Sequence, residues 1–315
     1  MNDTVVVLSA VSAIVAGTPI LLAALGELIA ERSGVMNLGV EGMMLLGAVV
    51  GFWTGVHTGS LTLSLLAGGA AGALLACVHG LLAVSLRVNQ TVSGLSLVIV
   101  GTGLSAFLGS AGGSPLVEAP NGVDVHPLLP SALRDIPVVG PILLGQDAVV
   151  YASWILVAIV GYVLYRTSAG LSVRAIGEDP AAADAAGLNV TRTRYAATAL
   201  GGFGAGLGGT YLSLVVLGTW QNGLTAGAGW IAVALVILAG WRPWLALVGA
   251  YAFGALRGLG FTLQIAQVSV PADFLNMIPF IATYLVVIVV SANPSRARRV
   301  AAPAALGQPY SRESR

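Results

Sequence analysis

The sequence predicts an all-α, polytopic membrane protein with about 8–10 transmembrane helices, some of them short or broken. Three observations predict this class. Of 315 residues, 57% are hydrophobic and 9% charged, with a mean hydropathy of +0.90. A soluble domain carries about 25% charged residues, so this chain cannot build a water-facing surface. Apolar segments recur along its length, most of them near the roughly 20 residues that a ~30 Å hydrocarbon core requires. The 42 glycines fit as well, because glycine is more frequent in transmembrane helices than in soluble ones.

The first apolar segment, 5–26, has neither a basic n-region nor a clear cleavage site and is read as retained. Segments follow at 36–56, 61–86, 91–111, 148–166, 195–217, 225–241, 244–268 and 274–291. The stretch "ERSGVMNLGVEG" (Glu31 to Gly42) interrupts the apolar run, and 225–241 is short enough to be a half-helix. Glycine-interrupted segments in both halves of a chain point to the binding site in transporters built from repeats. By charge balance, the 112–147 stretch holds Glu118, Asp124, Asp135 and Asp147 against Arg134. The 166–194 stretch holds Arg166, Arg174, Arg192 and Arg194, and the C-terminal tail Arg296, Arg298, Arg299, Arg312 and Arg315. The positive-inside rule then places 112–147 outside, 166–194 and the tail inside, and the N-terminus outside. The tail, 292–315, lacks apolar periodicity and is expected to be disordered.

Composition also excludes functions. A net charge of +1 gives no basic surface for nucleic acid. All 14 basic residues are Arg, so a P-loop, which needs its Lys on the phosphates, is absent. The single Cys77 cannot close an intramolecular disulfide and is read as packing. His57, His79 and His126 are scattered without metal-ligand spacing.

One polar stretch stands out, "RAIGEDPAAADAAGLN" (Arg174 to Asn189). Asp179 is a good N-cap, Pro180 suits the first helical position, and the alanines favour helix. Gly187 supplies the left-handed stop. A two-turn helix over 180–186 is therefore expected, too short to be stable unless docked. It is either a connector resting on neighbouring helix ends or a knob for a separate motor protein. In the second case the alanines permit close approach, and Arg174, Glu178 and Asp184 fix orientation at the rim.

Polar residues inside apolar segments are the remaining candidates. Asn37 and Glu41, four apart, share a helix face and either line a cavity or sit at the inner interface with an Arg. Asn89, Gln90, Thr91 and Ser93 open the fourth segment, where Asn89 and Thr91 could equally cap a helix. Arg257 lies mid-segment or snorkels from a segment end. Trp220, Gln221 and Asn222 precede the short helix on the outer side. Gly201/Gly202 and Gly208/Gly209 are read as close-packing positions.

"RAIGEDPAAADAAGLNVTRTRYAATALGGFGAGLGG" (174–209) resembles the coupling-loop region of permease subunits of bacterial ATP-binding-cassette importers. "ERSGVMNLGVEGMMLLGA" (31–48), "VNQTVSGLSLVIVGTGLSAFLG" (88–109) and "GLTAGAGWIAVALVILAGW" (223–241) resemble the same family. The branch is that of nucleoside and simple-sugar importers, related to ribose and branched-chain amino acid permeases. The resemblance covers roughly 15–291 and looks closest to the shorter of two paired permeases in purine-nucleoside importers.

It implies a permease domain over 1–291, with a coupling loop at 167–194, an extracytoplasmic loop at 112–147 and a cytoplasmic tail at 292–315. By position, coupling falls on Arg174, Glu178, Asp179, Pro180, Ala182, Ala183, Asp184 and Gly187; the Glu-Ala-Ala wording of the coupling motif is not literally present. The translocation pathway is assigned to Asn37, Glu41, Asn89, Gln90, Thr91, Ser93, Asn222 and Arg257, although nothing carries over from the family to Arg257. The implied partners are ATPase subunits that hold ATP and Mg, a longer second permease, an extracytoplasmic substrate-binding protein and membrane lipid. No cofactor or catalytic residue is expected in this chain, which lies in the cytoplasmic membrane. The substrate that the resemblance implies is a nucleoside, purine by preference, with a simple-sugar or branched-chain amino acid permease as the alternative. An ion-coupled transporter using Glu41 and Arg257 is a further one. An intramembrane hydrolase is another, with no HExxH or GxSxG element to support it.

Overall fold

A computed structural model describes residues 3–110, 116, 123, 125–265 and 302–311, together with 274, 277, 278, 281, 284, 285 and 288. The chain folds into α1 (Asp3–Arg32), α2 (Val40–Thr58), α3 (Leu61–Gly80) and α4 (Gln90–Ser110). After a short α5 (Ser131–Arg134) come α6 (Ala148–Arg166), α7 (Ser168–Glu178), α8 (Pro180–Ala185) and α9 (Val190–Tyr211). α10 (Ala228–Leu238) and α11 (Pro243–Ile265) follow. π-helical turns continue α3 over Leu81–Ser85 and α9 over Leu212–Val216. Among the described residues, 6 helices are long and apolar enough to cross a membrane, and Ala228–Leu238 is a shorter apolar helix. The ninth expected segment, 274–291, falls largely outside the described residues, as do Glu118, Asp124 and the tail arginines.

The bundle is assembled around α9, which packs against α1, α2 and α3. Glycine makes this possible. A Cβ at Gly209 would meet the Met44 carbonyl, one at Gly206 the Gly68 backbone, one at Gly208 the Pro19 carbonyl and one at Gly202 the Gly72 carbonyl. Such backbone-to-backbone approach lets van der Waals packing hold helices together where lipid offers no hydrophobic drive. The expected glycine pairs thus sit at helix contacts. Cys77 does not pack: it lies on the exposed face of α3, because the buried face there is set by Gly72, Leu75, Ala76 and His79.

The expected breaks occur where glycine and polar residues interrupt the apolar run. Residues 33–39 form an irregular turn between α1 and α2, and α10 is a half-length helix entered through the irregular stretch 217–227. Trp220 in that stretch is fully buried against Gly109 at the far end of α4, so it is a packing anchor. Gln221 and Asn222 beside it are exposed.

Candidate coupling hairpin and half-helix site

The polar stretch forms a helical hairpin, α7 followed by α8. Sequence reasoning misses α7, taking its charged residues for a loop. The Thr167 hydroxyl caps α7 by accepting from the Gly170 amide at 3.2 Å. Asp179 both ends α7 and starts α8, with Oδ1 accepting from the amides of Ala181 (3.0 Å) and Ala182 (2.9 Å). Pro180 stands at the first helical position.

At the other end the Gly187 amide donates to the Asp184 carbonyl and the Leu188 amide to the Ala183 carbonyl, both at 3.0 Å. Gly187 has φ +87°, the left-handed backbone that this paired closure needs. Local chemistry therefore suffices to define α8.

A small apolar cluster docks the hairpin: Ile176, Ala183 and Val190, with Leu188 and Tyr310 packed on it. Ala183 is 5% exposed and faces this cluster, which removes it from any outward contact surface. Ala181, Ala182, Ala185, Ala186 and Gly187 form the exposed ridge. Arg174 also differs from expectation: its guanidinium stacks over the Tyr165 ring at 5.4 Å to the centroid, turned toward α6. Glu178 and Asp179 are exposed and Asp184 half-buried, with Asp184 accepting from the Tyr310 hydroxyl at 3.1 Å.

At the start of α10 the chain places a carboxylate on a helix N-terminus. Glu41 Oε1 accepts from the Thr225 hydroxyl (2.6 Å) and the Gly227 amide (3.0 Å), while Oε2 accepts from the Gly229 amide (2.7 Å). The unpaired amides and partial positive charge of a helix N-terminus favour an anion there. Arg257 approaches the same point, donating to the Thr225 carbonyl at 3.1 Å. Thr225, absent from the sequence-level candidates, is the residue both groups meet.

The profile of the family described as "Branched-chain amino acid transport system / permease component" matches residues 9–290. The chain belongs to this family. It is an ABC permease subunit, a multi-pass protein of the inner membrane.

The permease is similar over nearly its full length to curated relatives. A Haloferax volcanii protein provisionally named a glucose ABC transporter permease (TsgC13) is 40% identical, with 95% of each chain covered. The guanosine ABC transporter permease protein NupQ of Bacillus subtilis is 32% identical, with 98% of each chain covered. The nucleoside ABC transporter permease protein NupC of Lactococcus lactis is 34% identical, covering 85% of this chain and 87% of its own. No solved structure matches the permease significantly.

The other expected pathway residues divide into two groups. Asn37, Gln90 and Ser93 are buried in a polar knot around the α1–α2 turn. Glu27 Oε1 accepts from the Asn37 amide (3.1 Å) and Gln90 Oε1 from the Met36 amide (2.8 Å). His79 bridges the Ser93 hydroxyl (3.0 Å) and the Met36 carbonyl (3.1 Å). Asn37 Oδ1 accepts from the Gly39 amide at 2.9 Å, so this side chain shapes the turn. Glu31 accepts from the Trp241 indole, joining the end of α1 to the end of α10.

Asn89, Thr91 and Asn222 form the second group and are at least partly exposed. Asn89 caps α4 through the Val92 amide at 3.2 Å. Sequence reasoning misses Glu27, Trp241 and Thr225 because their partners lie far along the chain or across a turn. A lone Glu within an apolar run is the one available signal, and Glu27 carries it.

Proposed function

We propose that the permease forms one half of a translocation pathway and is driven through the α7–α8 hairpin by an ATPase on a separate chain. The observation that carries this reading is the hairpin itself: two short capped helices whose alanine ridge faces outward and whose inner face is locked to the bundle. A small-residue ridge admits close approach by a partner groove, and the cap Asp179 with the rim residue Asp184 fixes its orientation. The absence of Lys from the sequence supports placing ATP and Mg on the partner. A second permease and an extracytoplasmic binding protein complete the assembly on family grounds, with the hairpin on the cytoplasmic side and the 112–147 loop outside.

The proposed substrate is a nucleoside, purine by preference, on the likeness to the guanosine and nucleoside permeases of Bacillus and Lactococcus. A second reading, a simple sugar, is favoured by the 40% identity to the Haloferax relative. Both substrates are uncharged, and in this chain the α10 N-terminus is already neutralised by Glu41. That arrangement also speaks against Glu41 as an ion-coupling site, since each of its oxygens is engaged. Uptake of labelled guanosine, inosine, glucose and ribose is to be compared in cells with and without this chain. Loss of guanosine and inosine uptake alone supports the nucleoside reading, and loss of glucose or ribose uptake alone replaces it. ATP hydrolysis by the purified chain on its own would overturn the separate-motor assignment.

A further inference from the structure

We propose that residues 302–311 are a positioning strap that ties the α7–α8 hairpin to the end of α1 and the start of α9, so that hairpin motion reaches the membrane helices. The proposal rests on the coupling role assigned to the hairpin.

This segment, "APAALGQPYS", has no helical or strand periodicity, and from sequence the 292–315 tail is expected to be disordered. The described stretch instead follows a defined path across the hairpin. The Ala305 amide donates to the Gly177 carbonyl in α7 (2.9 Å), and the Gly307 amide to the Gly34 carbonyl just after α1 (3.1 Å). The Ala304 amide donates to Glu178 Oε2 at 3.3 Å, and the Tyr310 hydroxyl to Asp184 Oδ2 at 3.1 Å in α8. One short segment therefore holds α7, α8 and the α1–α2 turn together.

Arg194 supplies the fourth anchor. It lies in the first turns of α9 and is 1% exposed. Its Nε donates to the Ser33 carbonyl at 3.2 Å and Nη1 to the Gln308 carbonyl at 3.1 Å. Burying an arginine among backbone carbonyls is costly unless those carbonyls stay in place. Removing the strap deletes the Gln308 carbonyl and loosens the grip of α9 on the α1 end. The fit is close where the strap crosses Gly34. Gly34 has φ +88°, and a Cβ there would meet Arg194 Nη2 at 2.9 Å and the Ala305 carbonyl at 3.2 Å. A Cβ on Gly177 would meet the Arg32 carbonyl. Tyr310 then closes one wall of a cleft of about 700 Å³ that runs from Ser85 and Arg87 to Asp184 and Arg192.

A strap with these anchors serves coupling rather than permeation. An ATPase that grips the alanine ridge displaces α8. Without the strap, α7 keeps its packing on α1 and α6 and α8 its small apolar cluster, but the ties through Gly177, Glu178 and Asp184 are lost, and part of the displacement is taken up by rotation of the hairpin about Asp179.

The test uses the whole transporter in proteoliposomes, with labelled guanosine and glucose both offered as probes. The quantity read is substrate accumulated per ATP hydrolysed, with ATPase co-purification measured in parallel. Two variants weaken the strap: truncation after Ala301, and Gly307→Val in the full-length chain. Gly307 has φ +76°, and a Cβ there would meet only Met36 Cε, at 3.7 Å, so Val adds backbone strain rather than a clash. Gly307→Asn is the conservative partner, because Asn tolerates the left-handed region.

Both weakened forms are expected to retain the ATPase and hydrolyse ATP, while uptake per ATP falls about tenfold, within the usual range of coupling energies. Gly307→Asn is expected to stay near wild type. Unchanged uptake per ATP in Gly307→Val and the truncation overturns the proposal. So does loss of ATPase binding in Gly307→Val, which would make the segment part of the docking surface instead. If the wild-type assembly shows no ATP-dependent uptake of either probe, the failure belongs to the functional reading and not to the strap.

Discussion

Glu41 in α2 and Gly229 in α10 are joined by a 2.7 Å hydrogen bond across 188 positions of sequence. With Thr225 and Gly227 on the other carboxylate oxygen, Glu41 caps a helix it does not belong to, in place of the N-cap residue Gly227, which has no side chain to do so. The half-helix therefore starts where α2 holds it. Glu41→Gln places an NH2 among donors and removes the charge. We expect stability to fall by about 1.5–3 kcal/mol, the range for hydrogen bonds to charged groups. Thr225→Val removes one of three donors to this carboxylate and should cost about 1.5 kcal/mol, the low end of that range. Thermal unfolding in detergent measures both, and equal midpoints for Glu41→Gln and wild type would remove the cap from the account. Dissipating the proton gradient while ATP is maintained should leave wild-type uptake unchanged.

The sidedness of the chain is open to a labelling test. Ser131 and Thr191 are both exposed, on opposite flanks of α6 in sequence. Cys77 is exposed too and must first be replaced, as Cys77→Ala. An impermeant maleimide should label Ser131→Cys in intact cells, and Thr191→Cys only after lysis. The reverse pattern inverts the topology.

Neighbouring alanines of α8 should behave differently. Ala183→Asp forces a carboxylate into the cluster of Ile176 and Val190 and should unfold the hairpin, since an unpaired buried charge costs several kcal/mol. Ala182→Asp, on the exposed ridge, should leave the hairpin folded and abolish ATPase co-purification. Limited proteolysis reports the first effect and pull-down the second. Protection from protease in Ala183→Asp would contradict the packing described for this residue. Gly187→Val has open space around it and acts through backbone strain alone, about 1–2 kcal/mol.

Gly209→Ala should prevent assembly of the bundle, because its methyl group would overlap the Met44 carbonyl and overpacking costs about 1–3 kcal/mol or more. Gly103→Ala on α4 meets nothing within 4 Å and should fold as wild type. Monodisperse yield by size-exclusion chromatography separates the two. Equal yields would mean that α2 and α9 can part without loss.

Capping makes α8 legible from sequence alone, because Asp179, Pro180 and Gly187 act on backbone within a few residues of themselves. The short α10 and the break at 33–39 are legible because glycine and polar residues interrupt the apolar run there. The cluster beneath α8 is not, since whether Ala182 or Ala183 faces inward depends on how Ile176 and Val190 approach. Arg194 shows the limit most plainly. Counted as a loop charge, it votes for an inner turn, yet its side chain is buried and committed to carbonyls at Ser33 and Gln308. The partners of Glu41 lie at the other end of the chain, and no periodicity announces them.

The glycine seams along α9 have a mechanical consequence. Where backbone rests on backbone there is no side chain to swing aside, so the helix would have little local compliance and would move as a stiff rod. From Val190 to Tyr211 it is roughly 33 Å long at 1.5 Å per residue. A push delivered at the hairpin would arrive at the far end with little lost to bending. The first soft joint along that route is the π-helical turn at Leu212–Val216, followed by the irregular stretch from which α10 hangs. On the proposed coupling, those joints, rather than the rod, would set how far the half-helix travels for a given stroke.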